Sequence, residues 1–227
     1  MKKTIKKLLF NTTKKGKPVV ISQENSNTQN ILLQNGRIWA KMISRKEVIT
    51  SIHETEFKVF SQWGDDGIIE YLINCLDIDQ KVFIEFGVAD YLESNTRFLL
   101  MNNNWSGLIM DGSDSNIKKI KQSDYYWKYD LIAKSAFITK ENINQLIEEE
   151  EIKGEIGLLH IDIDGNDYWI WKEINSIKPI IVIVEYNSVF GSERAITVPY
   201  REDFVRTSAH YSNLYAGTSI SSFWDLA

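Results

Sequence analysis

Short runs of apolar residues alternate with longer stretches of helical periodicity through most of the chain. The runs Val82–Val88, Gly107–Met110, Ala136–Thr139, Ile156–Ile163 and Ile180–Val184 are continuous rather than alternating, the pattern of strands buried on both faces of a parallel sheet. Between them, 96–102, 116–127, 142–152 and 168–174 read as helices. Strands and helices in this rhythm predict βαβ units and an α/β, Rossmann-like sheet with helices on both faces. Two helices are predicted ahead of the sheet. One lies over 38–52; the other starts at Asp65 and Asp66, whose carboxylates suit a helix N-terminus, and runs through Ile68, Ile69, Leu72 and Cys75. A last helix opens at Ser219 and continues to Ala227. With no partner following it, and a fifth strand at the sheet edge, the pattern predicts a sheet whose final strands are missing and a truncated chain.

Composition sharpens this picture at the N-terminus. Residues 1–30 are rich in Lys, Asn, Ser and Thr and lack periodicity, which predicts a basic polar tail. Residues 31–80 then form an N-terminal helical segment, and 81–227 the sheet domain. Seven lysines fall within the first 17 residues; without them 19 basic side chains face 31 acidic ones, a charge of −12. Such a body offers nucleic acid no electrostatic attraction. Leu8, Leu9 and Phe10 run straight into Asn11, too short for a signal peptide, and no stretch reaches the ~20 apolar residues of a membrane span. The single cysteine, Cys75, has Ile73 and Leu76 nearby and reads as a buried thiol. These features predict a cytoplasmic protein without a membrane span.

Ligands of open α/β sheets bind beyond the carboxyl ends of the strands, where strand order reverses. Three turns qualify. In the first, Glu85 and Gly87 precede Asp90 and Asn95, and Gly87 permits close backbone approach. The positions after it include Ala89 and Tyr91, so the three glycines of a dinucleotide-binding turn are not there, and NAD and FAD are disfavoured. The second turn, Asp111-Gly112-Ser113, offers a carboxylate to the two hydroxyls of a ribose. In the third, Asp162 and Asp164 share one side of an extended strand, where their repulsion invites a divalent ion such as Mg or Mn, with Glu185 and Asn187 available to complete the shell. His210 lies in a polar, aromatic segment and is a candidate proton acceptor; His53 has no assigned role.

The ordered set Ser61-Gln-Trp-Gly-Asp-Asp-Gly67, Phe83-Ile-Glu-Phe-Gly87, Ser94-Asn-Thr96, Gly107-Leu-Ile-Met-Asp-Gly112 and Ile161-Asp-Ile-Asp-Gly-Asn-Asp-Tyr-Trp169 resembles the FkbM-like class I methyltransferases, of the kind associated with bacterial capsule and surface-polysaccharide biosynthesis. The likeness extends through Glu185-Tyr-Asn187, Thr197-Val-Pro-Tyr200 and His210-Tyr-Ser212, with Ala216-Gly-Thr-Ser219 where Gly-Ala-Ser is expected. The resemblance implies a seven-stranded sheet ending in an antiparallel hairpin, and S-adenosylmethionine surrounded by Gln62, Gly87, Asp111 and Ser113. Glu85, Asp90, Asn95, Gly112 and Asp162 join the candidate cofactor-binding set. Asp164 and His210 are the candidate catalytic residues, and Asp162, Asp164 and Glu185 the candidate metal ligands.

The expected reaction is O-methylation of a small-molecule or glycan-precursor acceptor: a sugar, a nucleotide-linked sugar or a phosphoryl-type capsule precursor. Two alternatives stand beside it. One is a glycosyltransferase holding its metal on Asp162-Ile-Asp164. The other is a fragment that binds cofactor without turning over.

Overall fold

The computed structural model describes residues 23–46 and 48–227. Five strands form one sheet: β1 (Val82–Phe86), β2 (Ser106–Asp111), β3 (Leu131–Ser135), β4 (Gly154–Ile161) and β5 (Ile177–Val184). Their order is β3-β2-β1-β4-β5 and every neighbouring pair is parallel. The order reverses between β1 and β4, so the crevice for a ligand opens above those two strands.

Side-chain alternation along the strands separates two cores. Phe83 and Ile109 face one side, packing with Ile69, Leu99, Leu100, Ile117 and Ile120 of the helices α2 (Asp65–Cys75), α3 (Arg97–Asn103) and α4 (Asp114–Lys121). Ile84, Phe86, Leu108 and Met110 face the other, packing with Ile143, Ile147 and Ile170 of α6 (Ile143–Glu148) and α7 (Asp167–Glu173). The central strands β1 and β2 and the second half of β4 bury both faces, which is why those runs are nearly all apolar, while edge strand β3 alternates buried and exposed positions.

Several boundaries differ from expectation. The helix predicted over 38–52 is α1 (Gln23–Ile43), which extends into the supposed tail; the rest of that tail lies outside the described residues. Its inner face is Leu33, Gly36, Ala40 and Ile43, two of them small, so the stripe is weak to the eye but packs closely on Phe57, Val59, Phe60 and Phe98. The helix predicted over 116–127 is broken at Ser123, whose extended backbone starts the separate α5 (Asp124–Lys128). β3 ends at Ser135, and the apolar run Ala136–Thr139 that predicts a strand follows it as a loop. Cys75 is exposed rather than buried. It sits six residues beyond Ile69, about 240° around the helix from that buried position.

The last helix, α9 (Ile220–Leu226), begins where the pattern placed it. Ser219 caps it by accepting from the Ser222 N–H, and Phe223 packs against Tyr168 and Trp171 of α7. No helix among the described residues is long and apolar enough to cross a membrane.

Candidate functional site

The turn after β1 is held from two sides, by the ends of β4 and β2. Gly87 has φ +76°, and a Cβ there would lie 1.6 Å from the Asp162 carbonyl oxygen, so the β1 and β4 turns are in contact through a missing side chain. Ala89 (φ +48°) and Tyr91 (φ +60°) also adopt the left-handed region. The Ala89 N–H donates to Asp111 Oδ2 at 2.8 Å, which joins this turn to the end of β2.

Asp111 is already well used. Its Oδ1 accepts from the Ser113 N–H at 2.8 Å and from Asn116 Nδ2 at 3.1 Å. Ser113 itself caps α4 by accepting from the Asn116 N–H and does not line the cavity.

Gln62, Gly87, Asp111, Gly112, Asp162, Asp164 and Glu185 all line one cavity of about 430 Å³, walled on its apolar side by Phe137, Ile138 and Phe204. A second cavity of about 510 Å³ shares Gln62, Gly87, Asp162 and Glu185 with it and adds Glu85, Asp90 and Asn95. Together they form a continuous crevice above the β1–β4 reversal. His210 is not among the lining residues of either: it is exposed, its Nδ1 pairs with Ser212 Oγ at 2.8 Å, and its ring stacks near Tyr211. The structure therefore does not bring His210 to the crevice. Asn187 is likewise turned away, donating to the carbonyls of Leu214 and Ala216.

Glu85 is only 2% exposed, and its carboxylate is consumed by the protein. It accepts from Ser94 Oγ at 2.6 Å, from the Asn95 N–H at 3.1 Å and from Thr96 Oγ1, and pairs with His160 Nδ1 at 2.8 Å. His160 is its register partner on β4, and its Nε2 faces the Asn95 amide at 3.3 Å. Burial opposes ionisation of Glu85, but the bonds from His160, Ser94 and Thr96 outweigh it and hold the carboxyl below its usual pKa. Burial likewise opposes charge on His160; the Glu85 bond and charge prevail and raise its pKa. The pair fixes the Ser94–Thr96 start of α3, so Glu85 shapes the crevice rather than offering a free oxygen to a ligand.

The acidic end of the crevice is different. Ligand oxygens of Asp162, Asp164 and Glu185 lie within 4.8 Å of one another. Arg206, from α8 (Arg206–Ala209), reaches Asp164 Oδ1 at 2.7 Å and Glu185 Oε2 at 4.0 Å. It places one positive charge beside these three carboxylates. Asp162 makes no side-chain hydrogen bond among the described residues. Its burial, then the nearby Glu185 charge, push its pKa up to about 7, against the opposing pull of His160. Below this cluster Asp167, 1% exposed, accepts from the Ile163 and Gly165 N–H groups and stitches the turn, with burial raising its pKa to about 6.

The sequence reading overlooks His160, Asp167 and Arg206. A histidine and a glutamate interrupting adjacent apolar strands is a signal for the first. Arg206 lies 42 residues from Asp164 and carries no such mark.

No protein-family model and no curated protein matches the sequence. Among solved structures the chain is similar to the N-terminal domain of EvdMO1 with SAH bound, at 10% identity over 92% of this chain and 87% of that one, with a TM-score of 0.46.

Proposed function

We propose that this chain is an S-adenosylmethionine-dependent O-methyltransferase acting on a sugar, a nucleotide-linked sugar or a phosphoryl-type precursor of surface polysaccharide. One observation carries the reading: the Gly87 turn and the Asp111 carboxylate are bonded to each other and bound one crevice. The residues suit the cofactor. Asp111 offers the ribose an acceptor oxygen, Phe137 and Ile138 offer the adenine an apolar wall, and Asp90 and Asn95 face the adjoining cavity that would take the amino-acid end.

When bound, the cofactor supplies a methyl group already activated by its sulfonium. The chain's own task is to align an acceptor oxygen and take its proton. Asp162 suits the second task, since it lies on the wall common to both cavities, makes no side-chain hydrogen bond among the described residues, and has its pKa pushed up to about 7 by burial and the Glu185 charge. Arg206 offsets part of the negative charge of Asp164 and Glu185; the excess left by the three carboxylates favours the protonated form of Asp162, so it takes up a proton readily.

Calorimetry with S-adenosylhomocysteine tests the cofactor assignment. Wild type should bind it, and Asp111→Ala should weaken binding about ten- to hundredfold, the ~1.5–3 kcal/mol of a hydrogen bond to a charged group. Tight uptake of a nucleotide-sugar with none of S-adenosylhomocysteine would instead establish a glycosyltransferase.

The closeness of the three carboxylate oxygens favours one second reading, a divalent ion held by Asp162, Asp164 and Glu185 that would itself acidify the acceptor hydroxyl. Because Arg206 already occupies Asp164, turnover should survive EDTA. Loss of turnover on chelation, restored by Mg, would put the ion in the mechanism and remove Asp162 as the base.

A further inference from the structure

A third cavity, of about 690 Å³, lies between α1 and the α4–α5 region, on the far side of the loop that carries Asp90 and Leu92. Four cations line it: Arg37, Arg97, Lys119 and Lys128. None has a carboxylate within 4.0 Å among the described residues. Asp90 and Asp124 are the acidic residues in the lining, so the wall is positive on balance.

Arg97 is the unusual member. It is 2% exposed, with its guanidinium sandwiched between the rings of Phe60 (4.3 Å) and Tyr125 (4.5 Å). Nη1 donates to the carbonyls of Tyr91 and Leu92, while Nε has no partner and Nη2 makes no hydrogen bond among the described residues. A buried guanidinium without an anion is expensive unless something negative reaches it. The planar face is fixed by the two rings, which pre-orients the fork for an oxyanion.

An inorganic ion alone would leave most of this volume empty, which falls in the range of small-molecule sites. Gln29 and Asn30 add side-chain amides that make no hydrogen bond among the described residues, and these suit hydroxyl groups.

We propose that this cavity is a binding site for a phosphate monoester of sugar size, separate from the crevice above β1 and β4. Arg97 and the three outer cations take the phosphate, and the α1 amides take the hydroxyls. The site stands whether or not the chain transfers methyl groups.

Ribose 5-phosphate is the probe, titrated calorimetrically into the full chain at low ionic strength, with ribose and inorganic phosphate as comparisons. Ribose 5-phosphate should bind, more tightly than phosphate, while ribose should not, and added salt should weaken the interaction. Lys119 and Lys128 are both exposed. The double variant Lys119→Gln/Lys128→Gln should therefore fold normally and lose about tenfold or more in affinity for ribose 5-phosphate, the scale of a lost charge-assisted bond. Saturating S-adenosylhomocysteine should not displace the probe. The proposal is overturned by absence of binding at about 10 mM, by equal binding to wild type and the double variant, by displacement with S-adenosylhomocysteine, or by inorganic phosphate binding as tightly as the ester.

Discussion

Gly87→Ala is expected to remove detectable S-adenosylhomocysteine binding and to lower stability by about 3 kcal/mol or more. Two costs combine. The added Cβ would lie 1.6 Å from the Asp162 carbonyl oxygen, so one of the two turns must move. Alanine at φ +76° also carries the left-handed penalty of roughly 1–2 kcal/mol, and overpacking a fixed site adds about 1–3 kcal/mol. For a chain of this size the fall in Tm is then about 6–12 °C. Gly112→Ala is the internal control, because its Cβ would meet only Phe137 Cδ2 at an ordinary 3.8 Å. Thermal melts and ligand titration of the two variants should differ sharply. Equal behaviour would mean that the turns do not touch.

Glu85→Ala should be at least as damaging to stability, by about 3–5 kcal/mol, since it leaves a buried histidine and three donors without their acceptor. The pH dependence has a definite shape. The depressed pKa of Glu85 contributes stability that is present above its unfolded value, about 4.3, and is lost as pH falls through the folded value. The raised pKa of His160 contributes stability that is present below its unfolded value, about 6.5, and is lost as pH rises through the folded value. The stability gap between wild type and the isosteric Glu85→Gln should therefore be widest between about pH 4.3 and 6.5 and narrow on either side. Denaturant unfolding at a series of pH values measures this. A gap that does not vary with pH would show that the two groups do not form an ion pair.

The strands were legible wherever burial on both faces made the run continuous, as in Val82–Phe86 and Gly107–Met110. The same rule misleads at Ala136–Ile138, because a cavity wall is as apolar as a strand and the one-dimensional pattern does not distinguish them. α1 is hidden for the opposite reason, since Gly36 and Ala40 pack closely without counting as hydrophobic. At the crevice, turns ending strands β1, β2 and β4 could be picked out from topology alone, and they do come together. What each carboxylate does there depends on its neighbours in space. Glu85 and Asp162 occupy comparable strand-end positions, yet one carboxylate is enclosed by four partners and the other makes no side-chain hydrogen bond among the described residues. His210 and His160 reverse their apparent importance likewise: a polar loop suggests access, whereas a pair buried between two strands needs the register to be seen.

Asp111 brings a consequence for selectivity. A carboxylate has about four lone-pair sites. Oδ1 spends its share on Ser113 and Asn116, and Oδ2 has given one to Ala89. A single acceptor direction is left, so on the proposed reading only one of the two neighbouring sugar hydroxyls is gripped. Nucleosides lacking the other should pass as near-equals, and the pocket discriminates at one carbon of the ring, not two.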